Sequence, residues 1–188
     1  EKKEKKEKAQ PAAQPAAPKK EEHPLKTLDK AEPTAFINDQ WKKIYSNCHG
    51  DYKGAMSQFW DLYDAKGWSI WTCRFKYNSE NEKGFMASNA INGFIQRSGE
   101  IRKWLFGVMW VTGEEKVSPI EISGCYFIRG QDIKPLKDAN DDADHYNWYK
   151  VDCSTEEGKA LVFEMWCSSD GSFEYLEGKT CIACSEFK

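Results

Sequence analysis

The sequence predicts an α+β fold: a single compact domain in which α-helices pack on a mostly antiparallel β-sheet, preceded by a disordered linker. Three observations predict it. All twenty-six aromatic residues lie between Phe36 and Phe187, so the large apolar side chains that build a core are confined to one stretch. Within that stretch the apolar period switches repeatedly between 3.6 and 2, the mark of helices alternating with half-buried strands. The strand candidates are joined by short turns, with no βαβαβ rhythm, which favours antiparallel pairing over a doubly wound nucleotide-binding sheet.

Residues 1–23 are different in kind. They run through Glu/Lys alternation, a repeated Gln-Pro-Ala-Ala (Gln10–Ala13, Gln14–Ala17) and Lys19-Lys20-Glu21-Glu22, with prolines at 11, 15 and 18. So little apolar surface cannot offset ordering entropy, and the prolines stop any helix that the charge pairs start. The segment reads as an interdomain linker, and 24–188 as one domain's worth of chain. The tail holds seven Lys and five Glu; the whole chain is −3, which leaves the folded part at −5. A mildly acidic domain repels nucleic acid, so direct nucleic-acid binding is not expected. No apolar run approaches membrane-spanning length, so no membrane partner is expected either. Seven cysteines, an odd number set mostly within apolar patterns, fit reduced thiols of a cytoplasmic protein better than a disulfide framework.

The elements follow in order. Phe36, Ile37, Trp41, Ile44 and Tyr45 make a helical stripe with Thr34 as its expected N-cap. A second helix carries Ala55, Met56, Phe59, Trp60, Leu62 and Tyr63, and Gly67 sits where a left-handed C-terminal residue is wanted. Period 2 then sets Ser69, Trp71, Cys73, Phe75 and Tyr77 on one strand face against Trp68, Ile70, Thr72, Arg74 and Lys76 on the other. Phe85-Met86-Ala87 is expected to be a short partner strand, and Ala90 to open a helix through Ile91, Phe94, Ile95, Ile101 and Leu105. Phe106–Thr112 and Ile120–Arg129 are strands, Arg129 to Asp144 a polar loop, and Tyr146–Asp152 a strand. Ser154-Thr155-Glu156-Glu157 reads as a capping box opening a helix to about Cys167; Phe173–Leu176 and Thr180–Cys184 close the chain as strands.

Several motifs fail on inspection. Cys181-Ile182-Ala183-Cys184 has redox or zinc spacing, but no second ligand pair accompanies it, and a strand-like run is not the helix N-terminus that would lower a thiol pKa. It stands as a possible redox pair only, and no metal is expected. Asp138–Asp144 begins like a calcium loop, yet Ala143 stands where glycine is needed and Tyr149 where a bidentate glutamate is needed. No nucleophile has a sequence-local base, so no catalytic residue and no cofactor is assigned. Lys42-Lys43, Arg97 and Arg102-Lys103 are phosphate-contact candidates, though such helix-face charges are usually solvated. Arg129-Gly130-Gln131 ends a strand in a guanidinium. Two readings stand: an internal ion pair with Asp132 or Asp152, or a partner-docking site of Arg129 and Gln131 with Asn89, Arg97, Tyr146 and Trp148, since exposed aromatics beside Arg are typical hot spots.

Together these segments resemble one family. Phe59-Trp60 with Gly67-Trp68-Ser69-Ile70-Trp71, Phe85-Met86 with Asn89–Arg97, Phe127–Gln131, Pro135-Leu136, Tyr146–Asp152 and Gly178-Lys179 match, in order and spacing, the C-terminal domain of the gamma subunit of eukaryotic translation elongation factor 1. The Thr112–Pro119 and Ser168–Gly171 turns and the extra cysteines, above all Cys181 and Cys184, depart from its pattern. The resemblance implies a non-catalytic scaffold domain of the nucleotide-exchange complex. Its partners would be the exchange subunits and the GTPase alpha subunit, contacted mainly through a transferase-like N-terminal domain absent from this chain. The alternatives are a thiol-dependent transferase or redox role of the full-length protein, and RNA binding.

Overall fold

The computed structural model describes residues 22–168 and 175–188; the expected linker up to residue 21, and residues 173–174 of the penultimate strand, lie outside them. Six strands form one antiparallel sheet in the order β4-β1-β3-β2-β6-β5. They are β1 (Trp68–Phe75), β2 (Leu105–Glu114), β3 (Ser118–Arg129), β4 (Tyr146–Lys150), β5 (Tyr175–Leu176) and β6 (Lys179–Phe187). The helices are α1 (Pro24–Ala31), α2 (Asn38–Ser46), α3 (Tyr52–Leu62), α4 (Gly84–Arg97), α5 (Lys134–Ala139) and α6 (Glu156–Cys167).

Helices cover both faces. On one, Ala87, Ile91 and Phe94 of α4, Leu136 of α5 and Leu25 of α1 pack on Leu105, Met109, Ile122, Tyr126 and Ile128. On the other, Trp41 and Tyr45 of α2, Phe59 of α3 and Trp166 of α6 pack on Ile70, Phe106, Val108 and Phe127. This explains why β2 and β3 read as nearly unbroken apolar runs: each successive side chain enters one core or the other. The second core is dense in aromatics. Phe59 meets Phe36, Trp41, Phe127 and Trp166 at centroid separations of 5.7, 4.7, 5.3 and 5.2 Å, three of them edge-on, the arrangement that ring quadrupoles prefer.

Local expectations fail where a short pattern is ambiguous. Phe85-Met86-Ala87 is not a strand but the first turn of α4, because three apolar residues carry no period of their own. Only Ala87 faces the core, in step with Ile91 and Phe94, while Phe85 and Met86 are 63% and 61% exposed. Thr34 does not cap α2; Ile37 holds that position, and the Thr34 hydroxyl donates to Asp64 at 2.7 Å while accepting from Phe36 N–H. Gly67 is not left-handed. Its role is close approach: a Cβ there would lie 2.4 Å from the Asp64 carboxylate and would push it off the Thr34 hydroxyl. The last helix is capped one residue late, by Thr155 accepting from Gly158 N–H at 3.1 Å, so glycine rather than glutamate stands at its third position and no reciprocal box forms. The polar loop contains α5 and a 3-10 turn (Asp141–His145) anchored by buried Leu136 and Ala143. The sequence pattern did not predict α1 at all.

Candidate functional site

β3 ends at Arg129, which pairs with Trp68 at the start of β1. The Arg129 side chain is 0% exposed, so it is not available to a docking partner. Its guanidinium is used within the fold: Nε donates to Asp29 Oδ1 at 3.0 Å, Nη1 to the Gly67 carbonyl at 2.6 Å and Nη2 to the Glu32 carbonyl. The internal ion pair is therefore the reading that holds, but its partner is Asp29 of α1, not Asp132 or Asp152. Asp29 also accepts from Trp104 Nε1 at 2.7 Å, and the His23 ring stacks on Trp104 at 5.1 Å. One buried cation thus fastens α1, the α1–α2 connection and the start of β1 to the end of the central strand.

Gly130 follows at φ +90°, a left-handed turn that brings its N–H to the Gly67 carbonyl at 2.8 Å. Gln131 then folds back: Nε2 points at the carbonyls of Ala65, Lys66 and Trp68 at 2.9–3.0 Å, and Oε1 accepts from Lys150 Nζ at 2.8 Å. Segments 67–71, 129–131 and 149–152 therefore converge on one corner of the sheet. Beside it opens a cavity of about 300 Å³ lined by Tyr63, Trp68, Gln131, Lys150, Asp152 and Cys153, among others. Asp152 accepts from Ser154 N–H and hydroxyl, which hold its carboxyl below the usual range.

The other docking candidates sit apart from Arg129 and Gln131. Tyr146 and Trp148 are core side chains against Phe94, at 5.1 and 6.4 Å between centroids, and the Trp148 indole donates to Ala143 O. Burial raises the Tyr146 hydroxyl pKa. Arg97 is exposed and pairs with Asp142, its Nε lying 2.6 Å from Oδ2. Asn89 lies on the exposed side of α4. The expected six-residue surface is thus a buried staple, a turn-locking amide, two core aromatics, a surface ion pair and one free-standing exposed Asn.

The Cys181 and Cys184 thiols do share a face. β6 carries an extra residue at Ile182, so the register steps from Thr112↔Cys181 to Val111↔Ala183 and both thiols meet the α2/α3/α6 core. Burial raises both pKa values, Cys184 to about 11, which favours the unreactive thiol. Lys42, a phosphate candidate, is buried instead; it donates to the Arg102 carbonyl at 2.6 Å, and desolvation lowers it to about 8. Among the described residues no three His, Cys, Asp or Glu side chains group as metal ligands, and no helix is long and apolar enough to cross a membrane. Sequence reasoning missed Asp29. The available signal was Pro24 at a helix start with Leu25 and Leu28 three apart.

Comparison with known proteins agrees with the motifs. The family model described as elongation factor 1 gamma, conserved domain, matches residues 20–132. The chain is 40% identical to elongation factor 1-gamma of Prunus avium, over 74% of this chain and 33% of that one. It is 38% identical to probable elongation factor 1-gamma 1 of Arabidopsis thaliana, over 96% and 47%, and 37% identical to elongation factor 1-gamma 2 of Saccharomyces cerevisiae, over 84% and 37%. It spans between a third and a half of the length of these relatives. The matched stretch contains the aromatic-rich segment from Phe59 to Trp71, both central strands and the Arg129 staple, and the chain belongs to the elongation factor 1-gamma family.

Proposed function

We propose that this chain is a non-catalytic interaction domain serving translation elongation in the cytoplasm, a docking part of the elongation factor 1 nucleotide-exchange complex. The observation that carries this reading is the use made of the motif residues. Arg129, Gly130, Gln131 and Lys150 bond to backbone and to one another, and so hold a corner of the sheet rigid around an open cavity. A pre-ordered surface binds without first losing loop and side-chain entropy. The surroundings of five thiols support the same reading: burial moves Cys73, Cys125, Cys153, Cys181 and Cys184 away from the thiolate that nucleophilic or redox chemistry uses.

The test is hydrogen exchange on the chain with and without the exchange subunits and the GTPase subunit. The expected result is added protection at Gln131 and over residues 149–154. A complex that forms with no change in protection anywhere in the domain refutes the docking role.

A further inference from the structure

The 14 residues of α4 contain no charged side chain before Arg97, the last of them. A helix face left in water normally carries charge opposite its apolar stripe. Here Ala87, Ile91 and Phe94 enter the core, and at 3.6 residues per turn the opposite row runs through Phe85, Asn89 and Gly93. Two features of that row have no use inside the fold. Phe85 and its neighbour Met86 stand mostly in water, and the Ile182 side chain, 3.0 Å from where a Gly84 Cβ would lie, broadens this apolar end. Gly93 sits in mid-helix, where glycine is weaker than alanine. Its backbone is not left-handed, and the nearest atoms a Cβ would meet, at 3.0–3.3 Å, are the movable tip of the Arg97 side chain. No core contact of this chain therefore asks for glycine there. An exposed ring and a bared stretch of helix backbone lie two turns apart on one face.

We infer that α4 packs antiparallel against α4 of a second copy of this chain, across a two-fold axis at Asn89. Phe85 lies four residues before that axis and Gly93 four after it, so the ring of each copy fills the space over the glycine of the other. One contact thus covers the exposed ring and gives the glycine its reason. Asn89 meets its own copy, and a primary amide both donates and accepts, so it pairs with itself. The Arg97 guanidinium, held by Asp142 beside Gly93, comes under the incoming Phe85 ring, a cation–π arrangement. A face without charge from Phe85 to Gln96 opposes no like charges when it meets itself. A helix of this length is about 21 Å long, which places the interface at the small end of the specific range and makes the dimer weak. The inference needs nothing from the corner around Gln131.

The test is sedimentation equilibrium of the chain from about 10 μM to 1 mM, over which the mean mass should rise toward that of two chains. Phe85→Glu puts a charge on the face at a first turn that tolerates acids, and Gly93→Gln fills the hollow with a better helix former. Each is expected to weaken self-association roughly tenfold or more. The urea midpoint of Gly93→Gln should equal or exceed wild type, which a glycine needed by the fold itself would not allow. Oxidative cross-linking checks the register. Asn89→Cys should form disulfide-linked dimers, because helices about 8–10 Å apart bring Cα atoms on the axis within disulfide range. Gln96→Cys, whose copies would lie about 21 Å apart along the helices, should give no more than wild type, whose own cysteines set the background. A single-chain mass at every concentration, variants that associate like wild type, or equal cross-linking at 89 and 96 overturns the inference. Should Phe85→Glu fail to fold, Gly93→Gln decides. A chain that stays single while the exchange subunits protect α4 from hydrogen exchange also overturns it, and assigns the face to them.

Discussion

Replacing Arg129 with methionine keeps an unbranched apolar stem of similar reach and deletes the charge and its donors. Three bonds are lost, to Asp29, Gly67 O and Glu32 O. Removing one partner of a fully buried ion pair typically costs about 3–5 kcal/mol, because the other charge is left stranded. Here the stranding is incomplete. Gly67 O keeps the Gly130 N–H, Asp29 keeps the Trp104 indole and is about a quarter open to water, and Glu32 is exposed. Methionine also avoids the desolvation of the guanidinium. The expected loss is therefore about 2–3 kcal/mol, or a fall of roughly 1 M in the urea midpoint for a domain of this size. The loss should be local as well as global: α1 amides should lose hydrogen-exchange protection before those of β2 and β3. In a double-mutant cycle with Asp29→Asn the two changes should couple by about 1 kcal/mol or more. A midpoint unchanged within error, or α1 protection equal to wild type, would refute the staple.

Two further outcomes follow from buried polar groups. Asn140 donates to Phe94 O and to Ser98 Oγ, and accepts from Asp142 N–H, so it joins the end of α4 to the turn that feeds β4. Asn140→Ala should cost about 1–2 kcal/mol in urea unfolding, since two buried acceptors each lose one donor while Phe94 O keeps the Ser98 hydroxyl; a change under about 0.5 kcal/mol would show that water replaces the amide. The pH profile sets two effects against each other. Lys42 is lowered to about 8 by burial, so the cost of burying its charge is present at neutral pH and is relieved as pH rises from about 8 toward the unfolded value. Cys73 and Cys125 are raised by complete burial, so their stabilising contribution is intact below the unfolded thiol pKa and falls away above it. Each such thiol loses about 1.4 kcal/mol per pH unit beyond that point, so two outweigh one partly relieved lysine. Urea midpoints should fall above about pH 9.5, less steeply in Cys73→Ala. A midpoint that rises through pH 10.5 would contradict the burial of the thiols.

The central strands and the two faces of β1 were legible because long apolar runs and a clear period of 2 are local properties. Phe85-Met86 was not, because a three-residue run fits either period and only the spacing of Ala87, Ile91 and Phe94 against the sheet decides it. Thr155 was found to within one residue, the usual uncertainty of a cap. Arg129 shows a harder limit. An arginine among aromatics at a strand end reads the same way whether it faces a partner or staples the fold, and its ligand Asp29 lies one hundred residues away in a helix with only two core leucines. Nothing local distinguishes the cases; tertiary placement does.

That placement changes how binding experiments on this corner must be read. Weaker capture of a partner by an Arg129 variant would report that α1 and the 67–71 segment had lost their anchor, not that a contact had been removed, because the guanidinium touches no solvent. Gln131 is compromised in the same way by its three backbone carbonyls. Tyr149 is the informative position. It lies on β4 beside the cavity-lining Lys150, is 56% exposed, and its backbone carbonyl, not its ring, accepts from Thr72. Tyr149→Ser should leave unfolding within about 0.5 kcal/mol of wild type, as surface substitutions do, while an interface at this corner loses an aromatic anchor worth about 2 kcal/mol or more. Binding that falls with stability unchanged puts the partner on this corner, and binding that survives moves it elsewhere on the domain.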